Sequence, residues 1–215
     1  LGFEKDVLGI YLSGHPLEKY RNIMEKMISA RTIDFQPDDE TGIPKVYDGQ
    51  KVIIGGMITE KTIKYTRNNK VMAFLTVEDL MGTVEIVVFP RDYEKWQTLI
   101  NEDARVFIQG RVNAEDDKPS KLILEKVRAF DDIPREIWIQ FKDREDYAQK
   151  EQELLNYLRG SVGTSAVVIY LKDVKAIKRL PAGYHVQISD FLLEELKKKY
   201  GDSNVKVVER VLKNF

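Results

Sequence analysis

Lys61, Lys64, Arg67 and Lys70 face only one nearby acid, Glu60, giving a local charge of +3. Neutralising phosphate requires flexible cations on a protruding loop, and Arg67 and Lys70 flank the Asn-Asn pair of the turn Thr66-Arg-Asn-Asn-Lys70. Asn68 and Asn69 could hydrogen-bond base edges, although a turn backbone alone accounts for both amides. Tyr65, Phe74 and Phe89 supply flat rings on which bases can stack, worth about 1–3 kcal/mol per base where exposed. Phe74 and Phe89 fit a buried core equally well. Lys118 and Lys121 form a second cationic group, offset by Glu115, Asp116 and Asp117, so weak binding is expected.

Catalytic constellations are missing by comparison. The chain has no phosphate-cradling glycine loop, no nucleophile elbow and 0 cysteines. His15 lies in a Gly-His-Pro turn and His185 in a predicted strand, neither with metal-ligand spacing nearby. The acidic pairs Glu78-Asp79 and Asp116-Asp117 fall at strand ends and hairpins, where solvation explains them. Asp38, Asp39, Glu40 and Asp48 likewise sit in a Pro- and Gly-rich loop, a solvated surface rather than a metal site. No catalytic residue, metal ligand or cofactor site is predicted.

Composition sets the frame. The chain has 215 residues, 43% apolar and 32% charged, which is that of a globular protein with room for two small domains. No apolar run approaches the roughly 18–20 residues of a membrane span, and the charged opening lacks a secretory core. The cysteine count fits a reducing cytoplasm. The chain does not begin with Met and opens inside a helix-like pattern, which predicts a piece of a longer protein. The net charge of −1 is uneven: residues 1–49 carry 6 basic and 9 acidic side chains, residues 50–130 carry 13 and 12, and residues 135–215 carry 15 and 12. No segment is strongly basic, so any nucleic-acid contact must be a local stripe.

The elements that would position the stripe follow from periodicity. Residues 4–13 and 17–27 read as short helices, ended by Gly14 and Pro16 and followed by a loop over 36–49. Lys51–Lys61 is a long strand whose Gly55-Gly56 predicts a bulge or sharp coil. Strands over 71–80 and 83–89, a short helix carrying Tyr93, Trp96, Leu99 and Ile100, and strands over 104–112 and 121–129 follow. Three strands, a helix and two strands in that order specify an OB-fold, a small barrel that holds single strands or oligosaccharides. After Asp131–Pro134 the pattern changes. Strands over 136–141, 166–171, 174–180, 184–188 and 205–209 alternate with helices over 146–159 and from Ser189 or Asp190 onward. The expected fold is a β barrel plus α+β: a helical lead-in (1–49), a five-stranded OB-fold (50–130) and a mixed α+β domain (135–215). Lys172, Lys175, Lys178 and Arg179, with Lys197–Lys199, are read as a solvated rim in preference to a contact face.

The lead-in, with Ser13-Gly-His-Pro-Leu17 as its most specific element, resembles bacterial replicative DNA polymerase III alpha subunits. Gly55-Gly-Met-Ile58, Val84-Glu-Ile-Val-Val-Phe-Pro90, Leu180-Pro-Ala-Gly-Tyr-His-Val186 and Leu192-Leu-Glu-Glu-Leu-Lys197 are similar to that family in the same order. The resemblance implies the carboxyl-terminal portion of a DNA-directed DNA polymerase, with its magnesium-binding palm acids and its fingers earlier in the longer chain. It implies single-stranded template DNA as a partner of the barrel, the clamp-loader tau subunit as a partner of residues 135–215, and a bacterial cytoplasmic location. An anticodon-binding module of an aminoacyl-tRNA synthetase-like protein uses the same barrel order, and a protein-interaction scaffold is the third alternative.

Overall fold

The computed structural model describes residues 14–115 and 118–210, which form two compact units meeting in sequence at Asp132/Ile133. The helix expected over 4–13 lies outside the described residues. In the first unit a 3-10 turn, Glu18–Tyr20, runs into α1 (Arg21–Met27), whose Ile23, Met24 and Met27 are buried. A second 3-10 turn, Thr32–Phe35, precedes the loop over residues 36–50.

The barrel is closed by β1 (Lys51–Tyr65), β2 (Val71–Glu78), β3 (Thr83–Val88), β4 (Arg105–Asn113) and β5 (Lys121–Ala129), in the order β1-β2-β3-β5-β4. β1 belongs to both halves: residues 51–57 pair with β4, and residues 57–65 pair with β2. A parallel pairing of β3 with β5 completes the ring. Ile54, Ile58, Leu75, Ile86, Ile108, Leu122 and Leu124 fill the interior with no exposed surface. The helix α2 (Pro90–Trp96) plugs one end, with Tyr93, Trp96 and Leu99 against the core; it stops at Trp96, short of the expected Ile100.

The bulge expected at Gly55-Gly56 lies elsewhere. The β1–β2 register shifts between Ile58/Val77 and Glu60/Thr76, which leaves Thr59 as the extra residue. The glycines serve close approach instead: a Cβ on Gly56 would stand 2.5 Å from the Glu78 carbonyl oxygen, and one on Gly55 2.9 Å from the Phe107 ring. Thr59 has the larger effect on which side chains face outward. Before it, Val52, Ile54 and Ile58 face the core; after it, Glu60, Thr62 and Lys64 alternate outward.

Asp79 corrects a second expectation. It is buried, and its carboxylate accepts hydrogen bonds from Thr32 N (2.9 Å), Thr32 Oγ1 (2.6 Å), Met81 N (2.7 Å) and Gly82 N (3.1 Å). The acid closes the β2–β3 turn and clamps the lead-in to it. Beside it, His15 Nε2 lies 3.1 Å from Glu78 Oε1, while His15 Nδ1 accepts from Leu17 N. Both His15 and Asp79 are thus built into the attachment of the lead-in.

The second unit is a four-stranded sheet, β8-β7-β6-β9, made of β6 (Arg135–Phe141), β7 (Val167–Leu171), β8 (Ala176–Arg179) and β9 (Val205–Glu209). β6 and β7 run parallel; the outer strands are antiparallel to them. Helices α3 (Arg144–Arg159) and α4 (Asp190–Tyr200) pack Leu154, Leu158, Leu192 and Leu196 against Ile137, Ile139, Val167 and Ile169. Asp143 and Ser189 cap them, accepting from Asp146 N and Leu192 N. Tyr184–Ile188 is not a strand: Tyr184 ends a 3-10 turn after Pro181, and only Val186 bridges, to Ser165.

Candidate nucleic-acid interface

The outward alternation set at Thr59 builds one wall of the barrel. Across β1, β2 and β3 the register aligns Thr62 with Phe74 and Val87, Glu60 with Thr76 and Glu85, and Lys64 with Met72. Ala73, Leu75 and Val77, the alternate residues of β2, have no exposed surface. Phe74 therefore lies on the outer face, half-buried, and Lys64 Nζ sits 4.8 Å from its ring centroid.

Phe89 is 45% exposed and precedes α2, and Tyr65 is 67% exposed at the end of β1. None of the three predicted rings belongs to the barrel core. They do not share one surface, however. Tyr65 pairs with Val71 and Lys61 with Leu75, placing both on the strand face opposite to Lys64. Lys61 is directed to the helical end, with Nζ 3.2 Å from Asn101 Oδ1 and 5.4 Å from the Tyr93 ring centroid.

The β1–β2 hairpin tip is tightly made. Thr66 N donates to Lys70 O and Asn69 N to Thr66 O, with Asn69 in the left-handed region at φ 57°. Its backbone role accounts for Asn69, while Asn68 is exposed beside it. Arg67 and Lys70 are exposed and form no ion pair with described residues. The tip thus presents two exposed cations.

The second cationic group is neutralised. Lys121 Nζ reaches Glu85 Oε1 at 2.9 Å, and that hydrogen bond raises the lysine pKa. Lys118 Nζ bonds Glu115 Oε2 at 2.7 Å, which lowers the Glu115 pKa. Asp116 and Asp117 lie outside the described residues. The wall is consequently basic at the hairpin end and close to neutral across its middle, where Glu60 and Glu85 also stand. Thr62, Met72, Thr76 and Val87 complete it; only the cross-strand register brings them together.

The rim cations of the second unit are mostly paired. Lys178 meets Glu151 at 2.8 Å, Lys197 Asp202 at 3.2 Å, Lys198 Glu195 at 2.9 Å and Lys199 Glu153 at 2.6 Å, while Arg179 pairs with Glu136. Among the described residues, no group of three or more His, Asp or Glu could hold a metal ion, and no helix is long and apolar enough to cross a membrane.

Residues 52–129 match the family described as OB-fold nucleic acid binding domain. The DNA polymerase III alpha subunit of Bacillus subtilis is 28% identical over 215 residues, covering 95% of this chain and 18% of its own length. That of Borreliella burgdorferi is 31% identical over 184 residues, covering 80% and 15%, and that of Escherichia coli K12 is 26% identical over 217 residues, covering 95% and 18%. The chain thus spans less than a fifth of the length of these curated relatives. Among solved structures, the SSB domain of a Synechococcus protein aligns with a TM-score of 0.34 and 16% identity, covering 39% of this chain and 97% of that one. Mitochondrial Rim1 of Saccharomyces cerevisiae, a single-stranded DNA binding protein, aligns at 0.33 and 16%, with the same coverage of 39% and 97%. By sequence along most of its length, and by the closed barrel at its centre, the chain is similar to the bacterial DNA polymerase III alpha subunit and carries an OB-fold nucleic acid binding domain.

Proposed function

We propose that the barrel wall around Lys64 and Phe74 binds single-stranded DNA, as the template-handling part of a bacterial replicative DNA polymerase. The observation that carries this reading is the position of Phe74: outside the core, at the centre of a three-strand face, with a cation over its ring. A base stacks on Phe74, Lys64 moves to the adjoining phosphate, and Arg67 and Lys70 neutralise the next phosphates at the hairpin tip. Phe89 extends the platform along the wall. Lys118 and Lys121 play a smaller part because each already has a carboxylate partner.

Nucleotidyl transfer, in this reading, belongs to the longer polymerase, in the bacterial cytoplasm. Its magnesium would be held by acids elsewhere in that longer protein; among the described residues no group of three or more His, Asp or Glu could hold a metal ion. The unit from Ile133 serves as a docking module, with the clamp-loader tau subunit as partner; the similarity that extends through it supports this role.

A salt titration of oligo-dT binding tests the reading. Single-strand binding loses about 0.7 in log–log slope per phosphate contact removed, so Arg67→Ala with Lys70→Ala is expected to reduce the slope by roughly 1.4. An unchanged slope and affinity would overturn the assignment. Preference for a tRNA anticodon loop over oligo-dT would favour the anticodon-binding alternative instead.

A further inference from the structure

The second unit packs both helices against one face of its sheet, and the opposite face carries a different set of side chains. The register lines up Arg179 of β8, Val168 of β7, Trp138 of β6 and Lys206 of β9 in one row across all four strands. The adjoining row holds Ile177, Tyr170 and Gln140. Trp138 and Tyr170 are half-buried, with ring centroids 6.5 Å apart at 42°, and Ile177 is 58% exposed. Val168 is fully buried yet does not belong to the helix-side core.

Trp138 and Arg179 are held in place by a shared partner. Trp138 Nε1 donates to Glu136 Oε2 at 3.1 Å, and the Arg179 guanidinium bonds the other oxygen of the same buried carboxylate. Glu136 thereby holds an indole and a guanidinium side by side and spends its charge on the second. It is the single acid among the described side chains that the register places on this face; Lys206, at the far end of the Trp138 row, keeps its charge in solvent. Two partly exposed rings, one of them held by Glu136, beside a row that spans about three strand spacings or roughly 14 Å and ends on the unneutralised Lys206, match a short run of unpaired nucleotides. Bases have faces to stack on the rings, and a phosphate has Lys206 at the margin.

From this arrangement we propose that the open face of the β8-β7-β6-β9 sheet is a second contact for single-stranded nucleic acid, with Trp138 and Tyr170 as stacking platforms and Glu136 as the positioning residue. The site is independent of the barrel wall.

The sequence holds 2 tryptophans, so Trp96→Phe in the full chain leaves Trp138 as its one indole reporter. Titration with oligo-dT should quench that emission, and should do so equally after Arg67→Ala, Lys70→Ala and Phe74→Ala disable the barrel. Tyr170→Ala with Lys206→Ala should weaken the quenching transition about tenfold, whereas Tyr170→Phe should preserve it. Because a substituted chain can fail to fold, the unsubstituted protein is also cross-linked to an iodouracil-bearing oligonucleotide, with adducts expected on the peptides holding Trp138 or Tyr170. Emission unmoved by saturating oligo-dT, quenching that disappears with the barrel substitutions, or adducts confined to the barrel would each overturn the proposal. A face filled by a protein partner and indifferent to oligo-dT falls under the first of these.

Discussion

Lys64 Nζ stands 4.8 Å from the centroid of the Phe74 ring, on the outer wall of the barrel and diagonally across the β1–β2 ladder. The pair combines the two things a single strand offers, a flat base and a charge. Phe74→Ala is expected to cost about 1–3 kcal/mol of oligo-dT binding. Its effect on folding should stay near 1 kcal/mol, since the ring is outside the core. Lys64→Ala should cost less and flatten the salt dependence. Fluorescence anisotropy together with denaturant melts separates the two readouts.

Gly56 allows β1 to pass the end of β2. An added Cβ would meet the Glu78 carbonyl oxygen at 2.5 Å and Val77 Cγ1 at 2.7 Å. Gly56→Ala should destabilise the first unit by about 2 kcal/mol or more, because the obstacle is backbone. Gly82→Ala, with nothing nearer than Thr32 Oγ1 at 3.5 Å, should be close to neutral. Urea midpoints of the two variants make the comparison.

Asp79 ties the lead-in to the barrel. Asp79→Ala leaves Thr32 N, Met81 N and Gly82 N without their acceptor. A loss of about 1–3 kcal/mol is expected from the buried Thr32 donor and the part-buried turn amides. Limited proteolysis should then cut before β1 sooner than in the unsubstituted chain.

Glu136 gives the second unit a pH dependence. Burial raises its pKa, but hydrogen bonds from Arg179 and Trp138 and the charges of Arg179 and Arg210 outweigh burial and hold it below the ordinary 4.5. The folded carboxylate therefore holds its proton less tightly than the unfolded one. Its stabilisation is complete above the ordinary value and is lost as pH falls below it. Thermal melts should show the second unit weakening below about pH 4.5, with Glu136→Gln shrinking that dependence.

The barrel was legible in the sequence because each strand alternates over a buried interior and because Gly, Pro and Asn punctuate the turns. β5 begins and ends where the pattern placed it, and β9 does too. The location of the proposed binding wall was not legible. A bulge at Thr59 moves the even-numbered residues of β1 from the interior to the outside, and no residue type there announces it. Phe74 thus read equally well as core and as platform until its neighbours were known. The pairing of Lys121 with Glu85 was hidden for a related reason: β3 and β5 are neighbours only because the barrel closes. Tyr184–Ile188 looked like a strand by alternation, yet Pro181 starts a tight turn there instead. Asp79 appeared solvated because the donors it satisfies are split between two segments distant in sequence.

Amide chemical-shift mapping of the whole chain with oligo-dT tests the central claim most directly. The account predicts that the largest perturbations fall on Thr62, Lys64, Arg67, Lys70, Met72, Phe74 and Val87, along one wall and its hairpin tip. Perturbations confined to the opposite wall, at Lys51, Gln109 and Arg111, or none anywhere in the barrel at saturating oligonucleotide, would contradict it.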